Sequence, residues 1–365
     1  MKNESPAPGP GWSGRLVRFL GDGRKRARLN RWLNYREMRR RAVRLRSRPF
    51  NLILEPGTVC NLKCPFCPTG NGTLALKREL LQPETFAAVM RHIPLDCLYK
   101  ADLYNWGEPF LNPHLFDYIR FFAEHGIETI VHCNFSARDY EPQWFEALVR
   151  SGLDQLIVSA DGATQSSYEQ YRRRGDLARV LRNMSGVDEA KRRLGSATPR
   201  MVYKMLLNRF NDGEREAAAR NARSVGAELD LNENFDVPPH LRDEWMAPGV
   251  RARYGDTPPS SAGPRAPSGT DIHTECRQLW DTLLVNANGD LFPCCLVADP
   301  AMIMGNVAET PLARLWNNER FVALRRFVVQ TAAAAPDFPN LCATCSHRYC
   351  THRSQSAPGD PRFTN

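Results

Sequence analysis

Six short apolar runs recur along residues 50–236, and a helix-like stretch follows most of them. This alternation predicts βα units whose strands pair in parallel. A complete eight-unit barrel takes about 250 residues, so a segment of this length holds about six units. The sequence therefore predicts an α/β fold, a partial (β/α)6 barrel that resembles an incomplete TIM barrel. The apolar runs are 50–54, 101–104, 129–132, 155–158, 202–207 and 228–231.

Positive charge is concentrated in the first 50 of the 365 residues, which carry fifteen Lys and Arg against three acids. The net charge of +9 is therefore +12 in this segment and −3 in the rest of the chain. Helical spacing at 24–48 predicts that residues 1–49 form a basic helical arm. We expect its helix to lay Trp32 and Leu33 on the protein body. A surface for nucleic acid, an acidic protein or anionic lipid is the alternative. No RNA-binding module accompanies the arm, so nucleic acid is not an expected partner.

The remainder of the chain divides by composition. Residues 237–275 are rich in Pro, Gly and Ser and predict a linker. It separates the barrel, at 50–236, from a cysteine-rich domain at 276–352, and a tail follows at 353–365. No run of 18 apolar residues occurs, and the first twenty residues lack the apolar stretch of a secretion signal. We therefore expect no membrane span and a cytoplasmic protein, in which eleven cysteines suit metal binding better than disulfides.

Three cysteines, Cys60, Cys64 and Cys67, follow the first predicted strand in the sequence CNLKCPFC. Thiolates gathered on one loop suit an iron–sulfur cluster or zinc. A cubane cluster has four irons, so three cysteines leave one iron open to a ligand that is not protein. A zinc site with a distant fourth ligand, or three cysteines of the core, is the alternative interpretation. The open position favours a catalytic role.

The spacing CxxxCxxC, with the aromatic Phe66 before the last cysteine, resembles the signature of radical S-adenosylmethionine (radical SAM) enzymes. The resemblance implies that Cys60, Cys64 and Cys67 hold a [4Fe–4S] cluster. It also implies that the amino and carboxylate groups of SAM bind the open iron. Reductive cleavage of SAM then gives a 5′-deoxyadenosyl radical, which removes a hydrogen atom from the substrate. An electron donor such as flavodoxin or ferredoxin is an expected partner.

Two later strand ends are similar to SAM-binding segments of the same family. Gly107, Glu108 and Pro109 resemble its GEP motif, which receives the SAM amino group. An ammonium group needs acceptors such as a carboxylate or a backbone carbonyl. Asn134 and Ser136 follow the third run, where family members contact the ribose or methionine part of SAM. A polar strand end without a ligand is the alternative for this pair.

The end of the fourth run and the segment beyond it complete the resemblance. Ser159 and Asp161 match the family's S-x-DG sequence, which implies hydrogen bonds to the ribose hydroxyls of SAM. Arg172 matches the segment whose arginine pairs with the SAM carboxylate, a role that suits the bidentate guanidinium. Arg173 and Arg174 adjoin it, so the register of this match stays open.

A second group of cysteines lies near the C-terminus. The residues NGD at 288–290 predict a β-hairpin that brings the first two of these cysteines to neighbouring strand ends. Four thiolates close a site, which suits a structural zinc or a [4Fe–4S] cluster. The segment resembles the SPASM or Twitch extension of radical SAM enzymes, which implies one auxiliary [4Fe–4S] cluster. Cys295 and Cys350 are left without a role. The implied ligands are Cys276, Cys294, Cys342 and Cys345.

An auxiliary cluster can accept an electron from a substrate radical. Hydrogen abstraction from a carbinol leaves a ketyl radical, which becomes a ketone when it loses one proton and one electron. The sequence therefore favours a radical SAM oxidoreductase that dehydrogenates or epimerises a small polar molecule, such as a sugar or aminocyclitol. Modification of a ribosomally made peptide is the enzymatic alternative, and an iron–sulfur electron carrier or a zinc-stapled scaffold is the non-enzymatic one. An epimerase would need a thiol to return hydrogen, and the unassigned thiols are Cys97, Cys133, Cys295 and Cys350.

Overall fold

The computed structural model describes residues 25–233, 237, 239–254, 276–329, 336–339 and 342. In this part of the chain the strands are β1 Asn51–Leu54, β2 Lys100–Leu103, β3 Glu128–Cys133, β4 Gln155–Ser159, β5 Arg200–Leu206, β6 Glu228–Asn232, β7 Thr282–Val285 and β8 Leu291–Phe292. They form one sheet in the order β6-β5-β4-β3-β2-β1-β7-β8. The pairs from β6 to β7 are parallel, and β8 runs antiparallel to β7.

Helices connect the parallel strands, as the alternating pattern predicts. The helices are α1 Lys25–Arg39, α2 Pro68–Asn71, α3 Pro83–His92, α4 Leu115–Glu124, α5 Pro142–Arg150, α6 Gln165–Tyr171, α7 Leu177–Leu194, α8 Arg215–Ser224, α9 Arg242–Trp245, α10 Pro248–Tyr254, α11 Gln278–Asp281, α12 Leu312–Leu315 and α13 Glu319–Val329. Helices α3 and α5 begin with proline, at a position whose N–H has no partner within a helix. Within the described residues, no helix is long and apolar enough to cross a membrane. The predicted α/β fold with an open barrel of parallel units is confirmed.

Strand residues alternate between the two faces of the sheet. On β5, Met201, Tyr203 and Met205 are buried in the main core, which they share with the surrounding helices. Val202 and Lys204 therefore point to the opposite face, the interior of the open barrel, which we call the lumen. The ends of β1 to β6 surround one mouth of this lumen, because parallel strands end at the same edge of a sheet.

The cysteine-rich segment extends the barrel sheet. Its strand β7 pairs in parallel with β1, in the register Leu52↔Leu283. The predicted hairpin is confirmed: β8 pairs with β7, and Gly289 turns the chain at φ +89°. Leu283 and Val285 of β7 belong to the main core. The cysteine-rich segment, which composition separates from the barrel, thus shares the barrel's sheet and core. It can do so because one edge of β1 is not occupied by β2 and is available to β7.

The basic arm is helical only as far as Arg39. Trp32 does not pack on the body as expected, since 55% of its surface is exposed, and that prediction is wrong. Asn34 is the buried residue of this helix, and its amide donates to the Trp280 carbonyl at 2.6 Å. Polar contacts therefore fix which face of the helix is turned inward, and the apolar Trp32 is left on the outer face. Leu33 is half-buried.

Candidate active site

The loop after β1 folds back on itself and gathers three thiols. Cys67 stands just before the proline that begins α2, and its backbone N–H donates to the Cys64 carbonyl at 3.3 Å. A Cβ on Gly70 would lie 2.5 Å from the backbone nitrogen of Cys64. Only glycine allows this close approach. The loop conformation is therefore set by its own backbone.

The three thiols lie close enough to interact. Burial, with a smaller contribution from charge on Glu108, Cys64 and Cys67, raises the pKa of Cys60 to about 12. Burial also raises the pKa of Cys64, whereas the neighbouring Arg172 lowers it. Binding of a metal must therefore displace protons from these thiols. This soft donor set fits an iron–sulfur cluster.

The described residues contain no group of three Cys, His, Asp or Glu side chains that could hold a single metal ion. The cysteine ligands of a cubane cluster bind different irons, so their sulfur atoms need not converge on one point. The arrangement of the loop is therefore compatible with a cluster.

Gly107 and Glu108 lock the end of β2 to this loop. A Cβ on Gly107 would lie 1.9 Å from the Gly57 carbonyl oxygen, so no other residue fits. The backbone N–H of Glu108 donates to the Val59 carbonyl at 2.8 Å. The Glu108 carboxylate is buried and accepts from the backbone N–H of Asn134 at 2.6 Å. Burial raises its pKa to about 7. Pro109, next in the motif, is buried at the start of a single turn of 3₁₀ helix.

Asn134 links the end of β3 to the cysteine loop. Its side-chain Nδ2 donates to Asn61 Oδ1 at 3.0 Å and lies 3.6 Å from Cys60 Sγ. Its Oδ1 accepts from the Ser136 backbone N–H at 2.8 Å. The amide thus holds the loop while remaining beside the first thiol.

Arg172 joins the end of β4 to the second thiol. Its Nε donates to Asp161 Oδ2 at 2.6 Å, and its Nη1 lies 3.8 Å from Cys64 Sγ. Asp161 is fully buried, and its Oδ1 accepts from the Leu206 backbone N–H at 2.7 Å. Both carboxylate oxygens are therefore engaged by the protein. The Lys63 backbone N–H also donates to the carbonyl of Arg173, the next residue along.

The site contains residues that sequence reasoning missed. Glu55 directly follows β1, and its Oε1 accepts from the Trp106 backbone N–H at 2.8 Å. Its Oε2 is buried and has no hydrogen-bond partner in the described part of the chain. Burial raises the pKa of Glu55 to about 7. Its position in the sequence could have identified it: a carboxylate directly after an apolar run lies at the end of a predicted strand, where the site residues of such a barrel are found.

An aromatic contact also supports the cysteine loop. The Phe66 ring packs against Trp245, with 4.8 Å between centroids, and against Tyr171 at 5.9 Å. Trp245 lies in α9, within the region predicted to be a linker, so no sequence pattern pointed to it.

The lumen wall is polar on the side of β4 to β6. Ser159, Lys204 and Asp230 are half-buried neighbours on these three strands, joined by the pairings Ser159↔Lys204 and Lys204↔Asp230. Across the described residues, neither the Ser159 hydroxyl nor the Lys204 ammonium has a hydrogen-bond or ion-pair partner. On the adjoining strands, His132 stacks on Tyr104 with ring centroids 4.1 Å apart.

The second group of cysteines flanks the β7–β8 hairpin. Cys276 precedes β7, and Cys294 and Cys295 follow the antiparallel β8, toward the end of the sheet at which β7 begins. The Gln278 side chain, just before β7, hydrogen-bonds Cys295 there. Charge on Cys295, Cys276 and Cys342 acts on Cys294 and adds to the burial that raises its pKa. Cys294 and Cys295 pack against a buried cluster that includes Ile53, and Tyr104 packs against the same cluster. Cys345 and Cys350 lie outside the described residues. The auxiliary site therefore borders the lumen.

The open barrel and its cysteine loop define a radical SAM enzyme. Residues 54–220 match the model of the radical SAM superfamily, and residues 276–346 match the SPASM iron–sulfur cluster-binding domain. The chain belongs to the radical SAM superfamily and carries a C-terminal SPASM domain. The expected SAM, [4Fe–4S] cluster and auxiliary iron–sulfur binding are thereby confirmed as its cofactor chemistry.

Known proteins resemble parts or most of the chain. It is 27% identical over 160 residues to the GTP 3′,8-cyclase of Alkaliphilus oremlandii, a match that covers 43% of this chain and 48% of that relative. The chain thus spans about half the length of this relative. It is 20% identical over 344 residues to the AdoMet-dependent heme synthase of Methanosarcina barkeri, covering 82% and 90%. The structure of Streptococcus suis SuiB bound to S-adenosylmethionine superimposes with a TM-score of 0.56 at 15% identity, covering 76% and 68%. At this identity the likeness shows the fold alone.

Proposed function

We propose that this enzyme uses SAM-derived radical chemistry to dehydrogenate a small polar molecule in the lumen. The observation that carries the proposal is the position of the auxiliary cysteines. Cys294 and Cys295 pack on the cluster around Ile53 that Tyr104 of the lumen also touches. A redox group held there would lie next to the substrate and could accept the electron that a ketyl radical must lose.

The protein's own residues would prepare SAM for cleavage. The GEP carboxylate of Glu108 is close enough to act on Cys60 and suits the SAM amino group, whereas Asn134 turns its donor Nδ2 toward Cys60 Sγ. Arg172 directs its Nη1 toward Cys64 Sγ and suits the SAM carboxylate. Both oxygens of the Asp161 carboxylate accept hydrogen bonds, one from Arg172 and one from the Leu206 backbone. We therefore assign Asp161 the role of orienting Arg172, in place of the contact with the SAM ribose that the family resemblance implies. With its SAM-bound cluster, the site supplies a 5′-deoxyadenosyl radical.

The polar lumen wall supports a polar substrate. Ser159 and Lys204 present a hydroxyl and an ammonium group that the described residues leave unpartnered. Such groups pair with hydroxyl, carboxylate or phosphate oxygens. An apolar substrate would bury them at a cost of about 1–3 kcal/mol each.

The position of two thiols favours dehydrogenation over epimerisation. Cys133 belongs to the main core, on the face of β3 opposite the lumen. Cys97 is buried on a 3₁₀ turn that precedes β2, at the opposite end of that strand from the lumen mouth. Neither can return a hydrogen atom to a substrate in the lumen. Cys295 is the remaining candidate in the described part of the chain, and it adjoins the auxiliary ligand Cys294.

Peptide modification is the second candidate function. SuiB, which shares the fold, has been crystallised with its precursor peptide SuiA, at a TM-score of 0.55 and 14% identity to this chain. Turnover of a peptide, with no activity on polyols or amino alcohols, would select this function over the proposed one.

Iron counting and SAM cleavage test the cofactor chemistry. Anaerobic reconstitution should give about eight irons per chain, and Cys276→Ala should lower this to about four. Reduced protein should release 5′-deoxyadenosine, and Cys64→Ala should abolish the release. Cys97→Ala is the matched control and should retain both iron and activity. Release that persists in Cys64→Ala would refute the assignment.

Isotope transfer tests the reaction. A polyol or amino alcohol deuterated at the reacting carbon should pass deuterium to 5′-deoxyadenosine, with one SAM consumed for each ketone formed. Lys204→Met should raise the substrate KM about tenfold or more and leave SAM cleavage without substrate unchanged. Solvent deuterium in an unoxidised product would identify an epimerase instead.

A further inference from the structure

A basic, partly aromatic groove lies on α1, away from the candidate active site. Trp32, Tyr35, Arg36, Arg39 and Arg40 line a groove of about 440 Å³. The Trp32 side chain is 55% exposed, and Arg36 Cζ lies 5.3 Å from the centroid of its ring. Trp, Tyr and Arg are the residues enriched at the energetic centres of protein interfaces. The composition of the groove is therefore that of a docking surface.

The charge of this groove is not neutralised by its surroundings. Residues 25–48 contain eleven Lys and Arg and a single acid, Glu37. The Glu37 carboxylate turns toward the body and accepts from the backbone N–H groups of Arg46 at 2.8 Å and Ser47 at 3.1 Å. In the described part of the chain, no carboxylate lies within ion-pair distance of Arg36 or Arg39. The complement of the groove is an acidic surface.

The groove adjoins a cysteine of the auxiliary site. Tyr35 lines the groove, and Arg277 Cζ lies 5.0 Å from the centroid of the Tyr35 ring. Arg277 directly follows Cys276, and charge on Cys276 acts on Cys294. A protein docked on the groove would therefore rest beside the auxiliary ligands. One-electron exchange between proteins requires this kind of close approach.

We propose that the α1 groove docks an acidic one-electron carrier protein of the ferredoxin or flavodoxin kind. The inference rests on the proposed function in one respect, that the auxiliary site holds a redox group. In each encounter the oxidised carrier accepts the single electron that dehydrogenation of the substrate leaves on the enzyme. This transfer between the two proteins makes or breaks no bond and moves no proton. This electron balances the one that SAM cleavage consumes. Redox encounters of this kind use small interfaces and electrostatic steering.

Binding of a purified acidic ferredoxin to the reconstituted enzyme tests the proposal. Arg36→Glu combined with Arg39→Glu should weaken binding about tenfold or more at about 50 mM salt, and Trp32→Ala should also weaken it. Arg223→Glu, an exposed arginine on α8, is the matched control and should bind like the wild type. Wild-type affinity should fall as salt rises to about 300 mM.

A second readout separates this inference from the proposed function. Release of 5′-deoxyadenosine driven by dithionite should be the same in the wild type and in the α1 variants. Loss of that release in the wild type would refute the proposed function, whereas the binding result stands by itself. Unchanged ferredoxin binding after charge reversal would overturn the docking site. Tighter, Arg36-dependent binding of phosphatidylserine vesicles or of a single-stranded oligonucleotide would also overturn it.

Discussion

Arg172 bridges Asp161 and Cys64: its Nε donates to the buried carboxylate at 2.6 Å while its Nη1 lies 3.8 Å from the thiol. One side chain thereby connects the end of β4 to the loop after β1. The guanidinium is held on one side by a fully buried acid and turns its Nη1 donor toward the thiol on the other. The orientation of a SAM-binding group thus depends on a residue that SAM need not touch.

Replacement of Asp161 tests this dependence. Asp161→Asn removes the charge that holds Arg172 and should lower the affinity for SAM about tenfold. It should also destabilise the fold by about 3 kcal/mol, because the remaining guanidinium is buried without its partner. Titration calorimetry with SAM and urea unfolding measure the two effects. Asp139→Asn removes an exposed acid that pairs with Arg179 and should change neither. Wild-type SAM affinity in Asp161→Asn would contradict this role.

Gly107 is predicted to accept no side chain. Its Cβ would meet the Gly57 carbonyl oxygen at 1.9 Å, so Gly107→Ala must push the end of β2 away from the cysteine loop. We expect a loss of about 3 kcal/mol in stability and of iron binding at the first site. Gly213→Ala, where an added Cβ would meet nothing within 4 Å, should change stability by less than about 0.5 kcal/mol. Thermal unfolding and iron counting compare the two, and equal behaviour would refute the steric argument.

Glu55 should make the metal-free protein less stable as pH rises. Burial raises its pKa from 4.5 to about 7. Between these pH values the folded state holds a proton that the unfolded state has lost, so stability falls as pH rises through this window. The loss from this residue should reach about 3 kcal/mol above pH 7.

Glu55→Gln should remove this part of the pH dependence, whereas the exposed Glu228→Gln should retain it. Urea unfolding of each protein at about pH 5 and pH 8 measures the difference. Glu108, whose pKa burial also raises to about 7, should leave a similar slope in Glu55→Gln. A wild-type pH profile in that variant would contradict the prediction.

Removal of the cysteine-rich segment should damage the barrel itself. A protein ending at residue 254 lacks β7, which leaves the edge of β1 unpaired and uncovers the core around Leu283 and Val285. Exposed strand edges promote association, so we expect aggregation in place of a folded barrel. Removal of 353–365 is the control and should leave a soluble, monodisperse protein by size-exclusion chromatography. A folded, monomeric 1–254 protein would show that the barrel is stable by itself.

The sequence by itself determined the parallel units, the cysteine loop and the hairpin at Gly289. These features are local: periodic apolar runs, ligand spacing and turn chemistry act over a few residues. The same reasoning placed Glu108, Asn134 and Asp161 after strand ends, because parallel strands finish at one edge.

Only the tertiary structure decided the relations between distant segments. The pairing of β7 with β1, the buried Asp161 beneath Arg172 and the Trp245 ring on Phe66 join residues far apart in the chain. A contact between distant segments also explains why Trp32 faces outward. Asn34 donates to the Trp280 carbonyl, which turns the Asn34 face of the helix toward the protein body. Apolar spacing predicts that a helix forms, but the partners available in three dimensions determine which of its faces is buried.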